Sequence, residues 1–301
     1  MKFSYKPMKT GFRVRLMSPL GRYPAQSFCT ERAALITSPE LCFSIVRSEE
    51  EDRGFSEVDC LRPLELPLLG SILLGGESGE PYMYPYPTYH SVELATESLE
   101  LIDDRNIRRC KSLLLRNIQR HFKSGQGDRL HRPAIIGGER YDLVSTAPVE
   151  GDRLRILCRL ESANAVTLRG VNCLLKARMA FGHHELAEAG RIFLWIALDA
   201  AYSIILRELR RGGIQNPTSK DAARYFERVS GYGSDAERFF EDDYANRIRA
   251  IHPDNRFGPE IVPQFLADDF LELNDMLIPL FEYLVSEVDI QIEEPVDSDE
   301  D

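Results

Sequence analysis

The spacing of apolar and polar positions changes character near residue 160. Before it the apolar runs are short. Phe12-Arg13-Val14-Arg15-Leu16 alternates apolar with basic side chains, the period of a strand with one buried face, and Leu41 to Val46 is a second short apolar run. The first 60 residues therefore predict short strands and turns. Residues 62–89 are dense in Pro, Gly and Tyr and include PYMYPYPTY, Pro81 to Tyr89. That proline density argues against an internal helix and predicts an extended loop. Its tyrosines either pack on the domain surface or stack on bases. Residues 98–123 are helical in their second half, where Cys110, Leu113, Leu114 and Ile118 have near-helical spacing. Residues 133–160 return to strand-like runs, Ala134-Ile135-Ile136 and Leu154 to Leu160.

Beyond residue 160, Gly and Pro punctuate long helical patterns. The first helix is predicted from Ser162 or Asn164 to Phe181, with Gly182 as its stop. The second spans about Glu185 to Arg211 and ends in Arg207, Arg210 and Arg211 before Gly212-Gly213. Asn216-Pro217 offers a cap and a first-turn proline for a third, through Val229. A fourth opens with the capping box Ser234-Asp235-Ala236-Glu237, turns Phe240, Tyr244, Ile248 and Ile251 to one side, and stops near His252 because Pro253 follows. The fifth starts near Pro263. Leu266, Phe270, Leu273, Leu277, Leu280, Leu284 and Val288 repeat along it at three and four residues, and Pro279 predicts a kink or a break. Short connections favour antiparallel neighbours. The expected architecture is an α+β N-terminal domain over residues 1–160, an all-α antiparallel helical bundle over 161–288, and an acidic disordered tail over 289–301.

Charge changes this picture in one respect. The chain of 301 residues carries a net charge of −11, which argues against a polyanionic partner until its placement is considered. Glu287 to Asp301 holds eight acidic residues and no basic one, and without those eight the balance is −3. The basic side chains are 30 Arg against 7 Lys, a bias toward the residue that grips phosphate through a fork. Nine of them fall between Arg105 and Arg132. Within that run Arg105, Arg108, Arg109, Lys111, Arg116 and Arg120 are candidates for RNA binding, the alternative being a solvated helix face.

Other chemistries leave little trace. The longest apolar run, Ile192 to Leu206, is shorter than a membrane span and contains Asp199. The N-terminus lacks the apolar core of a signal peptide, so a cytoplasmic address and no membrane partner are expected. The six cysteines have no zinc-knuckle or redox spacing, and most of them read as small buried hydrophobes. The glycine pairs Gly75-Gly76 and Gly137-Gly138 belong to no phosphate-cradling loop, and no nucleophile elbow is present. His183 and His184 have no acidic or thiol partner at metal-ligand spacing and are expected on the surface. No cofactor or metal is predicted.

Two segments carry a resemblance. ARMAFGHHELAEAGRIFLWIALDAAYSIILREL, Ala177 to Leu209, is similar to the opening helices of HEPN domains, in which a helical hairpin leads into an apolar helix bearing an acidic residue among small ones. DDYANRIRAIHPDNRFG, Asp242 to Gly258, resembles the family's active motif, an Arg followed after four to six residues by a His; here it reads Arg247-Ile248-Arg249-Ala250-Ile251-His252. The spacing recurs at Arg116 to His121, outside the bundle, and from Arg178 to His183 or His184, before the second helix. Only Arg247 and His252 stand at the exit of a late helix. The resemblance covers about 125 residues. It implies a bundle of four or five helices that usually dimerises, and in active members a metal-independent endoribonuclease, some of them toxins or agents of phage defence and often paired with a partner protein or antitoxin. Other members are non-catalytic interaction modules.

The chemistry of such a pair is simple. RNA carries its own nucleophile, the 2′-hydroxyl. Cleavage needs a base for that proton, an acid for the leaving oxygen and positive charge beside the phosphate. Histidine serves the first two roles near neutrality, and arginine the third. Five positions at about 100° each put Arg247 and His252 on different sides of a straight helix, so a cleft completed across a two-fold dimer is the natural answer. Asn246, Arg249 and Asp199 are supporting candidates: Asn246 flanks the motif Arg, Arg249 is an auxiliary phosphate contact, and Asp199 orients the pair or instead bonds Tyr202. Active members usually carry a polar residue directly after the motif Arg, where this chain has Ile248. Three readings follow: a HEPN-type endoribonuclease, a non-catalytic HEPN assembly module, or an RNA-binding protein working through the basic run.

Overall fold

A computed structural model of the chain describes residues 11–20, 27–37, 41–48, 64–75, 84–96, 99–101, 103–123, 151–183, 186–230 and 267–290. The chain divides into two compact units, residues 1–72 with 76–154 and residues 155–301 with 73–75. A small antiparallel sheet in the N-terminal region and a helical remainder agree with the expected order of an α+β part followed by helices.

The first unit is built on five strands, β1 (Gly11–Leu20), β2 (Ser27–Cys29), β3 (Ala33–Thr37), β4 (Cys42–Ser48) and β5 (Tyr84–Leu94), in the order β2-β3-β4-β1-β5. Alternation in β1 sends Phe12, Val14 and Leu16 to one face. Opposite them across β4 stand Ile45 (to Val14) and Phe43 (to Leu16), with Ala34 of β3 beside Ile45. Helix α2 (Asp104–Lys123) covers that face with Cys110, Leu114 and Ile118. A side chain of Leu or Phe size fully buried in such a core contributes about 1.5–3 kcal/mol relative to exposure. Burial pushes the Cys110 thiol up to about 11, with the Arg109 charge opposing, so this sulfur packs rather than reacts.

The other face of the sheet carries Met17, Cys42, Val46, Ala33 and Leu35, and among them the buried Arg15. Arg15 Nε lies 3.0 Å from Glu65 Oε1, and Glu65 is wholly buried at the start of α1 (Glu65–Leu74). Arg13 pairs across the same face with Glu93 of β5.

Two elements correct the extended loop expected over residues 62–89. Glu65–Leu74 is a helix because Pro67 stands in its first turn, where no intrahelical N–H is needed. Tyr84–Leu94 is a strand because β5 lies at the sheet edge. Pro85 and Pro87 are two residues apart, so their missing donors share one side, the free edge. Tyr84 is buried there and does not offer its ring to a base; the side chains of Tyr82, Tyr86 and Tyr89 lie outside the described residues. The register of β5 on β1 shifts between Arg15 and Met17, and the Thr88 hydroxyl donates to the Leu16 carbonyl at 2.9 Å at that bulge.

The second unit holds α3 (Gly151–Glu161) from Arg155 onward, α4 (Ala165–Phe181), α5 (Ala187–Arg211), α6 (Ser219–Ser230) and α7 (Ala267–Glu287). The strand expected over Leu154 to Leu160 is a helix: Ile156, Leu157 and Leu160 are buried at helical spacing while Leu154 is exposed. In α4, Asn164 caps the start by accepting from the Thr167 amide, and the Gly182 N–H bonds back to the Arg178 carbonyl at 3.1 Å. Helix α5 packs against α4, α6 and α7. Among the described residues it is the one helix long and apolar enough to cross a membrane, which corrects the expectation that no segment reaches that length. Half of its most apolar window is packed inside the protein, with Leu194, Trp195, Leu198, Ile204 and Ile205 facing the core.

Pro279, where a kink or a break was expected, does not break helix α7, and Leu277, Ile278, Leu280 and Phe281 are buried on both sides of the proline. The packing of those residues outweighs one lost backbone bond. Phe270 near its start stacks on Phe181 of α4, ring centroids 3.8 Å apart. Its end is held by arginines from elsewhere in the unit. Arg159 donates to the Val285 and Val288 carbonyls, and Arg211 donates to the Asp289 carbonyl at 2.8 Å.

The cap of α6 is Thr218 rather than Asn216. The Asp221 amide bonds to the Thr218 hydroxyl, and the Thr218 amide and hydroxyl both donate to Asp221 Oδ2 at 2.8 Å. Those bonds, the backbone one first, hold the Asp221 carboxyl below the usual carboxylate range. A depressed folded-state value stabilises the helix start above the unfolded pKa, near ~4, and the benefit is lost as pH falls through the folded value. The amides of Thr218 and Asp221 are expected to shift together in an acid titration monitored by NMR, and Asp221→Ala is expected to remove that step. A Thr218 amide whose shift ignores the carboxyl would contradict the cap.

Candidate functional site

The site with defined geometry is the solvent face of α2. Asp103 opens the helix by accepting from the Arg105 amide at 2.9 Å, and Asp104 sits in the first turn, where carboxylates favour the positive helix end. From Arg105 to Lys123 the sequence contains no acidic residue. At 100° per residue, Cys110, Leu114 and Ile118 fall together on the buried side. Arg105, Arg108, Arg109, Arg116 and Arg120 fall on the opposite side within an arc of about 120°. All five are exposed. The stripe from Arg105 to Arg120 is about 22 Å long at 1.5 Å per residue.

One candidate is not brought into this face. Lys111 is half-buried on the flank of α2, because six residues of helical rotation carry it away from Arg105. Two residues that charge alone did not single out, Ser112 and Gln119, lie exposed inside the stripe. Periodicity applied to the polar positions would have found them. Arg116 Nε donates to the Ser112 carbonyl at 3.3 Å, which lays that side chain along the helix. The ion pair of Arg108 with Asp104, at 3.9 Å, joins two largely exposed groups and contributes little. Among the described residues Arg105, Arg109 and Arg120 have no carboxylate partner within salt-bridge distance.

In the second unit, Asp199 is half-buried on α5, and the Ser203 hydroxyl donates to its backbone carbonyl at 2.9 Å. Arg247, His252, Asn246 and Arg249 lie outside the described residues, as do His184 and the helix expected from Ser234. His183 is exposed at the α4–α5 connection, as expected for a surface residue. Buried Cys42 and Cys173 have thiols pushed up by desolvation and are unsuited to nucleophilic work. On α6, Tyr225 is raised first by burial and then by Tyr283 and Glu208, with the Arg228 guanidinium 5.0 Å from its ring centroid. That cluster joins α5, α6 and α7. No family model matches the chain, and neither curated proteins nor solved structures give a match.

Proposed function

We propose that this protein is a metal-independent endoribonuclease of the HEPN type, working as a two-fold dimer with Arg247 and His252 as its reacting pair. The observation that carries the reading is the order of parts: the hairpin α4–α5, with Asp199 on its apolar second helix, packs with α6 and α7, and the Arg247 to His252 motif falls in the segment that joins α6 to α7. In the reaction the RNA 2′-hydroxyl attacks the adjacent phosphorus and gives its proton to an imidazole. The bond to the 5′-oxygen breaks, and that oxygen takes a proton from an acid, leaving a cyclic phosphate and a free 5′-hydroxyl. Arg247 stabilises the charge that builds on the non-bridging oxygens. A second subunit supplies a second copy of the pair, so that base and acid stand on opposite sides of one phosphodiester. A role in phage defence or as a toxin, and control by a partner protein or antitoxin, follow from the same resemblance.

Incubation of labelled RNA with the purified chain in EDTA tests this. Cutting is expected with the native sequence and is expected to be lost in both His252→Ala and Arg247→Ala. Undiminished cutting by His252→Ala, or cutting abolished by EDTA, contradicts the proposal. A mass measurement in solution is expected to give a dimer. The second reading, a non-catalytic HEPN assembly module, is favoured by Ile248 in the position where active members carry a polar residue. It predicts dimerisation without cutting.

A further inference from the structure

We propose that the arginine face of α2 binds the phosphate backbone of double-stranded RNA without reading its sequence. The choice of RNA over DNA rests on the RNA-directed reading above; the binding surface itself rests on α2 alone.

The local charge of α2 favours a polyanionic partner. Arg105 with Arg109 and Arg116 with Arg120 are like charges at four residues' spacing, and Arg105 with Arg108 at three. Each such pair destabilises an isolated helix by about 0.2–0.5 kcal/mol. A face shaped only by solubility is better served by alternating signs, as in Arg224 with Asp221 on α6. A polyanion laid along α2 reverses the sign of all these terms at once. The type of cation favours phosphate. The face is arginine rather than lysine, and a guanidinium fork grips two phosphate oxygens where an ammonium offers a point charge.

The side chains of the face favour a duplex over a single strand. Proteins that hold single strands add aromatic platforms on which bases stack. The described side chains of this face are Arg105, Arg108, Arg109, Ser112, Arg116, Gln119 and Arg120, with Leu115 at its margin and no aromatic ring among them. An A-form duplex is recognised by its shape and backbone instead, and a straight line of forks suits it. The line is rigid because Cys110, Leu114 and Ile118 anchor the reverse side of α2 in the sheet core.

The test measures binding of a labelled RNA duplex of roughly 16 base pairs, the span typical of duplex-binding domains. It uses the full chain and its His252→Ala variant, so that cutting cannot consume the probe. Affinity is expected to fall linearly with the logarithm of salt concentration. The triple variant Arg109→Gln, Arg116→Gln, Arg120→Gln is expected to lose about three from that slope, near one per phosphate contact, and roughly tenfold or more in affinity at about 0.1 M salt. The corresponding triple Lys variant keeps the charge and is expected to keep the slope. Should the triple Gln variant fail to fold, Arg109→Gln and Arg116→Gln singly are each expected to lower the slope by about one.

Equal slopes and affinities for native and triple Gln chains would overturn the proposal. So would tighter binding of the separated strands, tighter binding of duplex DNA, or displacement of the RNA by polyglutamate at equal charge concentration, which would point to an acidic protein instead. His252-dependent cutting in a chain that does not hold duplex on α2 sinks this inference and spares the nuclease reading. Duplex held on α2 by a chain that never cuts does the opposite.

Discussion

Glu65→Ala is expected to destabilise the sheet unit by about 3–5 kcal/mol, the usual cost of stranding one partner of a buried ion pair. Arg15 is 5% exposed on the second face of the sheet, and Glu65 is fully buried where α1 begins, with Nε and Oε1 3.0 Å apart. Removing the carboxylate takes the Glu65 counter-charge from a guanidinium buried on the face that carries Met17, Val46 and Leu35. Replacing both partners by Met is expected to recover most of the loss, because paired desolvation costs nearly cancel the attraction of the native pair. Hydrogen exchange at the β1 and β4 amides reports on this unit; the single tryptophan does not, since Trp195 belongs to α5. A Glu65→Ala chain whose β1 and β4 protection matches the native chain would show that the carboxylate contributes nothing there.

Phe281→Ala is expected to cost the helical unit about 3–5 kcal/mol, as large-to-small changes in a packed core do. Phe281 is fully buried on α7 and meets α4 at Gly170. A Cβ built on Gly170 would stand 2.4 Å from Phe281 Cζ and 3.0 Å from the Ala200 Cβ of α5, so three helices converge on a hydrogen atom. Gly170→Ala alone is therefore expected to cost about 1–3 kcal/mol by overpacking. In the double variant the added methyl occupies space that the ring has left, and the combined loss is expected to fall well short of the sum. Urea denaturation followed by Trp195 fluorescence measures all three variants. Strict additivity would mean that Gly170 and Phe281 do not share this contact.

The arginine face of α2 was legible as a basic run before any fold was known, yet its membership was not. Charge counting placed Lys111 with the arginines; helical rotation removes it and admits Ser112 and Gln119. Composition also overstated proline. Pro67 and the pair Pro85 and Pro87 read as loop makers, and Pro279 as a helix breaker. Each stands where its missing donor costs little or is outweighed: a first turn, a sheet edge, a helix packed on both sides of the ring.

What the sequence by itself determined is what depends on near neighbours. The alternation from Phe12 to Leu16, the periodic stripe of the last helix, and the ends of α4 at Asn164 and Gly182 were all readable, because strand period, helix period and caps are set within a turn or two of chain. Tertiary structure decided what depends on distant partners. Helix α1 is anchored at Glu65 by an ion pair to Arg15 fifty residues earlier, β5 is a strand because β1 is beside it, and the end of α7 is held by Arg159 from more than a hundred residues away. An edge, a buried charge and a glycine pressed by a ring exist only once remote segments meet, and no local pattern encodes the meeting.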